Sequence, residues 1–315
     1  MRIDRTSANL TFSLLGPVRA WRAGTEVDLG SPQQRTTLAM LLLREGLAVH
    51  MDQIVAGMWG EQPPRSAITT IRTYIYRLRA TLERDAGHDG TRIDLIGGGY
   101  RLRTGRDVID LSRFVWHTSR GADAARRRHW PAAAAEQRAA LSLCGGLPLA
   151  GTVGPYTLGQ GARLQQLVLG ARLELMSAQI KLGRHRQVLP ELTAMVAEFP
   201  LWEDVHSLLM TALYGSGRGA DALEHYQSAR RRLVDELGIE PGVRLRNLHQ
   251  RILANDPALG AAAPPAGTAR SVAQRYHRVR LPAADRRGGD VADASIARRR
   301  GVDSGALPFR ACLDC

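Results

Sequence analysis

The chain has 315 residues, of which 44% are hydrophobic, and its formal net charge is +13 at pH 7. This length is enough for about two globular domains, and the hydrophobic fraction is that of ordinary folded protein. Lys181 is the only lysine, so arginine carries nearly all of the positive charge. A strong positive balance favours a polyanionic partner, either nucleic acid or an anionic membrane.

Several classes of protein are disfavoured. The longest apolar run, residues 38–43, is far too short to span a bilayer. The N-terminus lacks the succession of charged region, apolar run and small-residue cleavage site that makes a signal peptide. Three cysteines form no disulfide framework. We therefore expect a cytoplasmic protein with no membrane association.

Catalytic and metal-binding motifs are also missing. The sequence contains no H-E-x-x-H, G-x-S-x-G, G-x-G-x-x-G or G-x-x-x-x-G-K-[ST] pattern. Cys312 and Cys315 form a single C-x-x-C pair, which supplies two ligands where a structural zinc ion needs four. We therefore expect no enzyme activity, no cofactor and no metal site.

The first 60 residues predict short strands followed by two helices. Apolar stretches at 10–15, 18–21 and 27–29 are separated by turn residues. Ser31 and Pro32 are typical of a helix start, as N-cap and first helical residue, and this helix should end near Glu45. A second helix should run from Asp52 to about Trp59.

A third helix and a hairpin follow. The Pro63-Pro64 pair interrupts helical structure, because proline has no N–H to donate. Residues 66–84 have helical periodicity. Residues 92–95 and 100–103 flank a glycine-rich turn and predict a β-hairpin. The order of strands, three helices and hairpin predicts a winged helix-turn-helix domain over residues 10–105, with a small β-sheet and a wing hairpin.

The remaining chain predicts a second, all-α domain over residues 106–256. The segment beginning Gly183-Arg184 recurs 34 residues later at Gly217-Arg218, and 34 residues is the period of tetratricopeptide repeats. A further, degenerate helical pair is predicted around residues 130–141. Residues 257–315 are rich in Ala, Pro, Gly and Arg, so we expect this tail to be disordered. The predicted fold class is mostly α.

One face of the third helix is the candidate functional surface. Apolar residues at intervals of three and four predict a core stripe, formed by Ala67, Ile68, Ile71, Ile75, Leu78 and Leu82. The opposite face has no carboxylate before Glu83 and combines arginines with small hydroxyl residues. It comprises Arg65, Ser66, Thr69, Arg72, Thr73, Tyr76, Arg77 and Ala80.

Two interpretations of this face compete. It could be an ordinary solvated surface, which is the usual case for an amphipathic helix. However, the third helix of a helix-turn-helix is the one that enters the DNA major groove, and arginine suits guanine edges and phosphates. We therefore predict a recognition helix for double-stranded DNA.

The hairpin has two interpretations of equal weight. Arg92, Arg101 and Arg103 could lay the wing against the DNA backbone, or the glycines could simply make a tight turn. Two other functions also stay open, namely a scaffold that works through its helical repeats and a repressor with the same fold.

The chain resembles the actinomycete antibiotic-regulatory activators, the SARP family, over residues 10–256. In the first half the matching motifs are residues 14–18 (LLGPV), 29–35 (LGSPQQR), 58–60 (MWG), 63–64 (PP), 74–79 (YIYRLR) and 99–102 (GYRL). In the second half they are residues 212–214 (ALY), 216–218 (SGR), 222–223 (AL), Tyr226 and 236–242 (ELGIEPG). Residues 143–146 (LCGG) and 200–203 (PLWE) depart from the family pattern.

The resemblance implies a winged helix of the response-regulator type, without a receiver domain, joined to a bacterial transcriptional activation domain. It implies binding to direct repeats upstream of secondary-metabolite promoters, with possible self-association on DNA, and help in recruiting RNA polymerase. By position, residues 66–84 would be the recognition helix and residues 92–103 the wing.

Overall fold

The structure is a computed structural model that describes residues 10–84 and 90–260. Within these ranges, no helix combines the length and the hydrophobicity of a membrane-spanning segment. The strands are β1 (Leu10–Ser13), β2 (Arg19–Arg22), β3 (Thr25–Val27), β4 (Val49–His50), β5 (Arg92–Ile96) and β6 (Gly99–Arg103). The helices are α1 (Pro32–Leu43), α2 (Met51–Trp59), α3 (Ala67–Leu82), α4 (Asp110–Arg126), α5 (Trp130–Leu141), α6 (Pro155–Lys181), α7 (His185–Glu198), α8 (Glu203–Gly215), α9 (Gly219–Leu237), α10 (Val243–Leu253) and α11 (Pro257–Gly260).

The three predicted N-terminal strands form an antiparallel sheet in the order β1-β2-β3. β2 and β3 are joined by Ala23 and Gly24, whose φ angles are 49° and 81°. Two positive φ values define the type I′ turn that matches the twist of a hairpin. β3 therefore starts at Thr25, two residues earlier than its apolar stretch predicts.

Helix α1 begins as predicted. The Ser31 hydroxyl accepts a hydrogen bond from the Gln34 N–H at 3.3 Å, and the Gln34 side chain accepts one from the Ser31 N–H at 3.4 Å. This capping box satisfies two N–H groups that the helix itself cannot bond. Positive φ angles at Glu45 and Gly46 end the helix, and most of α1 is buried.

The wing belongs to a three-stranded sheet in the order β4-β6-β5. The turn between β5 and β6 has only two residues, Gly97 and Gly98, with φ angles of 55° and 78°. Each wing strand is therefore one residue longer at the turn than predicted. Strand β4 was not predicted because two residues are too short to show an alternating pattern.

The helical repeats share one turn geometry. The Gly183 N–H donates to Ile180 O at 2.9 Å, and the Gly217 N–H donates to Tyr214 O at 3.0 Å. The turn between α4 and α5 has the same pattern, with the Arg128 N–H donating to Ala125 O at 2.9 Å. Arg128 has a φ angle of 58° where the other turns have glycine, which explains why this pair looks degenerate in sequence.

Two large hydrophobic cores are present in the described residues. The first includes Leu38 and Ile71 of the winged helix together with Phe114 of α4 and Leu164 of α6. The second lies within α6–α10. The first core therefore continues across the predicted boundary at residues 105 and 106, and that boundary stays a prediction.

The segment predicted to be disordered starts with an ordered turn. Residues 257–260 form α11, and Leu259 packs against the second core, so the prediction is wrong for these four residues. Leu259 near the start of the tail packs on an apolar surface, which the composition of the rest of the tail does not predict. Residues 261–315, with Cys312 and Cys315, lie outside the described residues.

Candidate nucleic-acid interface

The core side of α3 is as predicted with one exception. Ile71, Ile75, Leu78 and Leu82 are at most 1% exposed. Ile68, which the periodicity placed in the core stripe, is 47% exposed. At 100° per residue it lies about 60° from the centre of the stripe, so the first turn of the helix carries Ile68 past the edge of the core.

The opposite face of α3 is exposed to solvent. The exposed residues include Arg65, Ser66, Thr69, Arg72, Thr73, Tyr76, Arg77 and Ala80. The Thr73 hydroxyl donates to Thr69 O at 3.0 Å, which holds it close to the helix. The face thus combines arginines with small residues, and Tyr76 projects from it at 73% exposure.

The three arginines on this face are available for a ligand. Within residues 10–84 and 90–260, no carboxylate forms an ion pair with Arg65, Arg72 or Arg77. Most of the arginines that do form ion pairs lie in the helical region that follows the wing. Unpaired guanidinium groups keep their donors free for phosphate and base edges.

The start of α3 is one residue later than predicted. Ser66 is the N-cap, and its side chain makes no capping hydrogen bond. Pro64 instead holds the turn, since its carbonyl accepts from the Ala67 N–H at 2.9 Å. The Ser66 hydroxyl therefore makes no hydrogen bond that caps the helix.

A side chain that the sequence did not indicate anchors the other end of α3. Arg22 in β2 donates through Nη2 to Thr81 O at 2.9 Å and to Leu82 O at 3.1 Å. A cation at the C-terminus of a helix bonds its free carbonyl groups and complements its dipole. The N-terminal sheet thus fixes the position of α3.

The wing arginines differ in their surroundings. Arg92 is exposed and Arg103 is 65% exposed at its side chain. Arg101 faces Asp94 across the hairpin and pairs with it at 3.1 Å, while Arg103 Nε lies 3.9 Å from the same carboxylate. Sequence reasoning missed Asp94, which leaves Arg92 and Arg103 as the less restrained cations.

One exposed apolar residue adds to the predicted set. Leu95 lies beside the wing turn and is 66% exposed. In the sequence, Leu95 looks like any apolar strand residue, so its exposure was not predicted. Its exposure beside the turn adds a large apolar group to Tyr76 and Ile68, the exposed apolar residues of α3.

The described residues contain neither a metal-binding cluster nor a reactive cysteine. Among residues 10–84 and 90–260, no group of three or more His, Cys, Asp or Glu side chains could hold a metal ion. Burial, together with the negative charge of Asp110, raises the pKa of the Cys144 thiol to about 11. A thiol with that pKa is protonated near neutral pH, so Cys144 is a poor nucleophile.

Two family models match the chain in the order of its two predicted halves. Residues 24–102 match the C-terminal domain of transcriptional regulatory proteins, and residues 109–253 match the bacterial transcriptional activator domain. The first match contains α3 and nearly the whole wing. The second begins next to α4 and ends with α10.

Two curated proteins from Streptomyces are similar to most of this chain. The regulatory protein AfsR of Streptomyces coelicolor is 40% identical over 89% of this chain and 28% of its own length. The regulatory protein DnrI of Streptomyces peucetius is 35% identical over 84% of this chain and 99% of its own length. This chain thus spans about a quarter of AfsR but matches nearly all of DnrI.

A solved structure is also similar. Mycobacterium tuberculosis EmbR, in complex with a low-affinity phosphopeptide, is 33% identical, with a TM-score of 0.73. The likeness covers 79% of this chain and 66% of the EmbR chain. With a winged helix, a helical activator domain and a relative matched over nearly its whole length, the chain belongs to the SARP family of transcriptional regulators.

Proposed function

We propose that the chain is a sequence-specific DNA-binding transcriptional activator whose helix α3 enters the major groove. The observation that carries the proposal is the exposed face of α3, where Arg65, Arg72 and Arg77 have no carboxylate partner among the described residues. In this arrangement arginines can reach guanine O6 and N7 or phosphates, and small residues let the helix approach the base edges.

The wing would add contacts to the DNA backbone. Arg92 and Arg103 are exposed cations on neighbouring strands of one hairpin. We infer that they neutralise phosphates and that Arg101, which is held by Asp94, contributes less. Phosphate contacts position the protein without reading sequence, so α3 would carry the specificity.

The remaining parts of the proposal rest on the family. We infer that the protein acts in the cytoplasm, binds direct repeats in double-stranded DNA as two or more copies and helps recruit RNA polymerase to secondary-metabolite promoters. The names of AfsR and DnrI as regulatory proteins support regulation of transcription. We propose no enzymatic activity for the chain.

Binding of promoter fragments from the neighbouring genes tests the proposal. Arg72→Ala and Arg77→Ala should each weaken binding about 5- to 150-fold, which corresponds to about 1–3 kcal/mol for one base contact. Arg186→Ala is the matched control, because Arg186 is an exposed arginine on α7. Wild-type binding by both α3 variants, with an intact fold, would refute the recognition face.

A transcription assay tests the direction of regulation. With purified RNA polymerase and a promoter that binds the protein, an activator should increase transcript yield in proportion to operator occupancy. A decrease at the same occupancy would instead identify a repressor.

A further inference from the structure

Helix α3 holds the wing through one residue of β5. Arg79 donates two hydrogen bonds to the carbonyl oxygen of Ile93, from Nε at 2.9 Å and from Nη2 at 2.7 Å. Glu83 Oε1 accepts a hydrogen bond from the Ile93 N–H at 2.9 Å. We call these contacts the wing clamp, comprising Arg79, Glu83 and the backbone of Ile93.

The clamp is built on the free edge of the wing sheet. β5 is an outer strand, with β6 on one side only. In an antiparallel pair, alternate residues turn both backbone polar groups away from the partner strand, and Ile93 is such a residue. Residues four apart on a helix lie on the same side, so Arg79 and Glu83 reach both groups of Ile93 together.

Further contacts hold the clamp in place. Arg79 lies 4.0 Å from Glu83 and its guanidinium carbon is 5.9 Å from the ring centroid of Tyr100, a buried residue of β6. Arg79 therefore contacts β5 and β6 at once. Although it lies on the recognition helix, Arg79 directs its Nε and Nη2 donors toward the wing.

This geometry bears on DNA binding because Arg92 is the direct neighbour of Ile93. The clamp thus sets the position of Arg92 relative to Arg72 and Arg77 on the exposed face. Binding loses less free energy when the contacting groups are already ordered in the free protein. We propose that Arg79 and Glu83 are positioning residues, which lock the wing to the recognition helix so that both reach DNA in one register.

This inference rests on the proposed DNA binding, and salt dependence provides a specific readout. The slope of log affinity against log salt falls in magnitude by about 0.9 for each phosphate that the protein no longer neutralises. Arg79→Ala should weaken binding about three- to tenfold and reduce the slope by about 0.9 or more, because Arg92 then no longer meets its phosphate. Arg172→Ala is the control, because Arg172 also joins two elements through its guanidinium group, in this case α6 to Glu191 and Glu198 of α7. This variant should keep wild-type affinity and slope.

The Glu83 variants keep the test valid if Arg79→Ala fails to fold. Glu83→Gln retains an oxygen acceptor for the Ile93 N–H, whereas Glu83→Ala does not. Both variants remove the same negative charge, so the loss of electrostatic repulsion from DNA is the same in both. We expect Glu83→Ala to bind more weakly and with a shallower slope than Glu83→Gln. Equal affinities and slopes for these two variants would overturn the inference.

A double-mutant cycle separates positioning from general damage. Arg92→Ala should weaken binding in the wild-type background and have less than about a third of that effect when Arg79 is already alanine. Arg72→Ala should keep its full effect in both backgrounds. If Arg92→Ala acts equally in both, the clamp does not position the wing. If Arg72→Ala leaves binding intact as well, the proposed function fails together with the inference.

Discussion

The carboxylate of Asp110 accepts hydrogen bonds from the backbone N–H of Leu14 at 2.8 and 2.9 Å, although 96 residues separate the two. The same carboxylate accepts from the Leu15 and Leu111 N–H groups at 3.0 and 2.7 Å. Burial raises the pKa of Asp110, and the backbone hydrogen bonds oppose that rise. The first residue of α4 thereby joins the helical region to the N-terminal sheet.

Replacement of this carboxylate should destabilise the whole protein. Asp110→Ala would leave three buried N–H groups without an acceptor, at about 1–3 kcal/mol each. We expect the free energy of unfolding to fall by about 3 kcal/mol or more, measured by urea denaturation followed by circular dichroism. Asp107→Ala is the control, since Asp107 is exposed. A decrease below about 1 kcal/mol for Asp110→Ala would show that water replaces the carboxylate.

The shared core gives a second prediction, about truncation. Residues 10–105 alone would lack Phe114 and Leu164, which complete the core around α1 and α3. The Thr36 hydroxyl would keep Pro32 O as an acceptor but would lose its contacts with Val153, whose O lies 2.8 Å away and whose N–H donates to it at 2.9 Å in the full chain. We expect this fragment to unfold with low cooperativity in urea, whereas the full chain unfolds cooperatively. A sharp transition with wild-type midpoint in the fragment would contradict the shared core.

Sequence patterns were sufficient where the signal is local. The capping box at Ser31, the apolar stripe of α3 and the glycine turn of the wing depend on residues within a few positions of one another. For this reason the order of elements and the exposed face of α3 were predictable. The two-residue strand β4 was not, because its pairing with β6 depends on residues about 50 positions away.

The contacts that position the site were harder to predict. Arg22, Arg79 and Asp110 are charged side chains that bond backbone groups of distant segments. A charged residue of this kind looks in sequence like any solvated surface residue. Only the tertiary fold distinguishes Arg79, which holds the wing, from Arg77, which is exposed two residues earlier.

A third prediction concerns the turn between β2 and β3. Ala23 has a φ angle of 49°, a conformation that asparagine adopts more readily than alanine, and Asn-Gly is the preferred pair in this turn. Ala23→Asn should therefore raise the free energy of unfolding by about 1 kcal/mol or less, which is part of the cost of about 1–2 kcal/mol that the left-handed conformation imposes on an ordinary residue. Gly24→Ala should lower it, because a φ angle of 81° strains an alanine even though no atom lies within 4 Å of the added Cβ. A stabilising Gly24→Ala would contradict the turn assignment.

The fourth prediction is a pH dependence that originates in the second domain. His206 Nε2 lies 2.8 Å from Pro200 O and His206 Nδ1 lies 2.9 Å from His225 Nε2. If the ring of His206 donates to the carbonyl group, its Nδ1 accepts from His225, and both rings are neutral. Burial, then the charges of His206 and Arg232, lowers the pKa of His225 to about 4. Burial likewise lowers the pKa of His206.

Acid should destabilise the protein through these two histidines. In the unfolded chain a histidine takes up a proton near pH 6.5, while folded His225 resists it until about pH 4. The unfolded state therefore binds more protons in this window, and stability falls as the pH falls from about 6.5 toward 4. We expect the urea midpoint of the wild type to decrease steadily between pH 7 and pH 5, above the range in which most carboxylates titrate.

His225→Gln isolates this contribution. Glutamine can still donate to His206 Nδ1 but does not titrate, so the variant should lose less stability than the wild type between pH 7 and pH 5. His129→Gln is the matched control, since His129 is exposed before α5, and it should keep the wild-type pH dependence. If His225→Gln and the wild type lose stability in parallel, the neutral histidine pair is not the origin of the acid sensitivity.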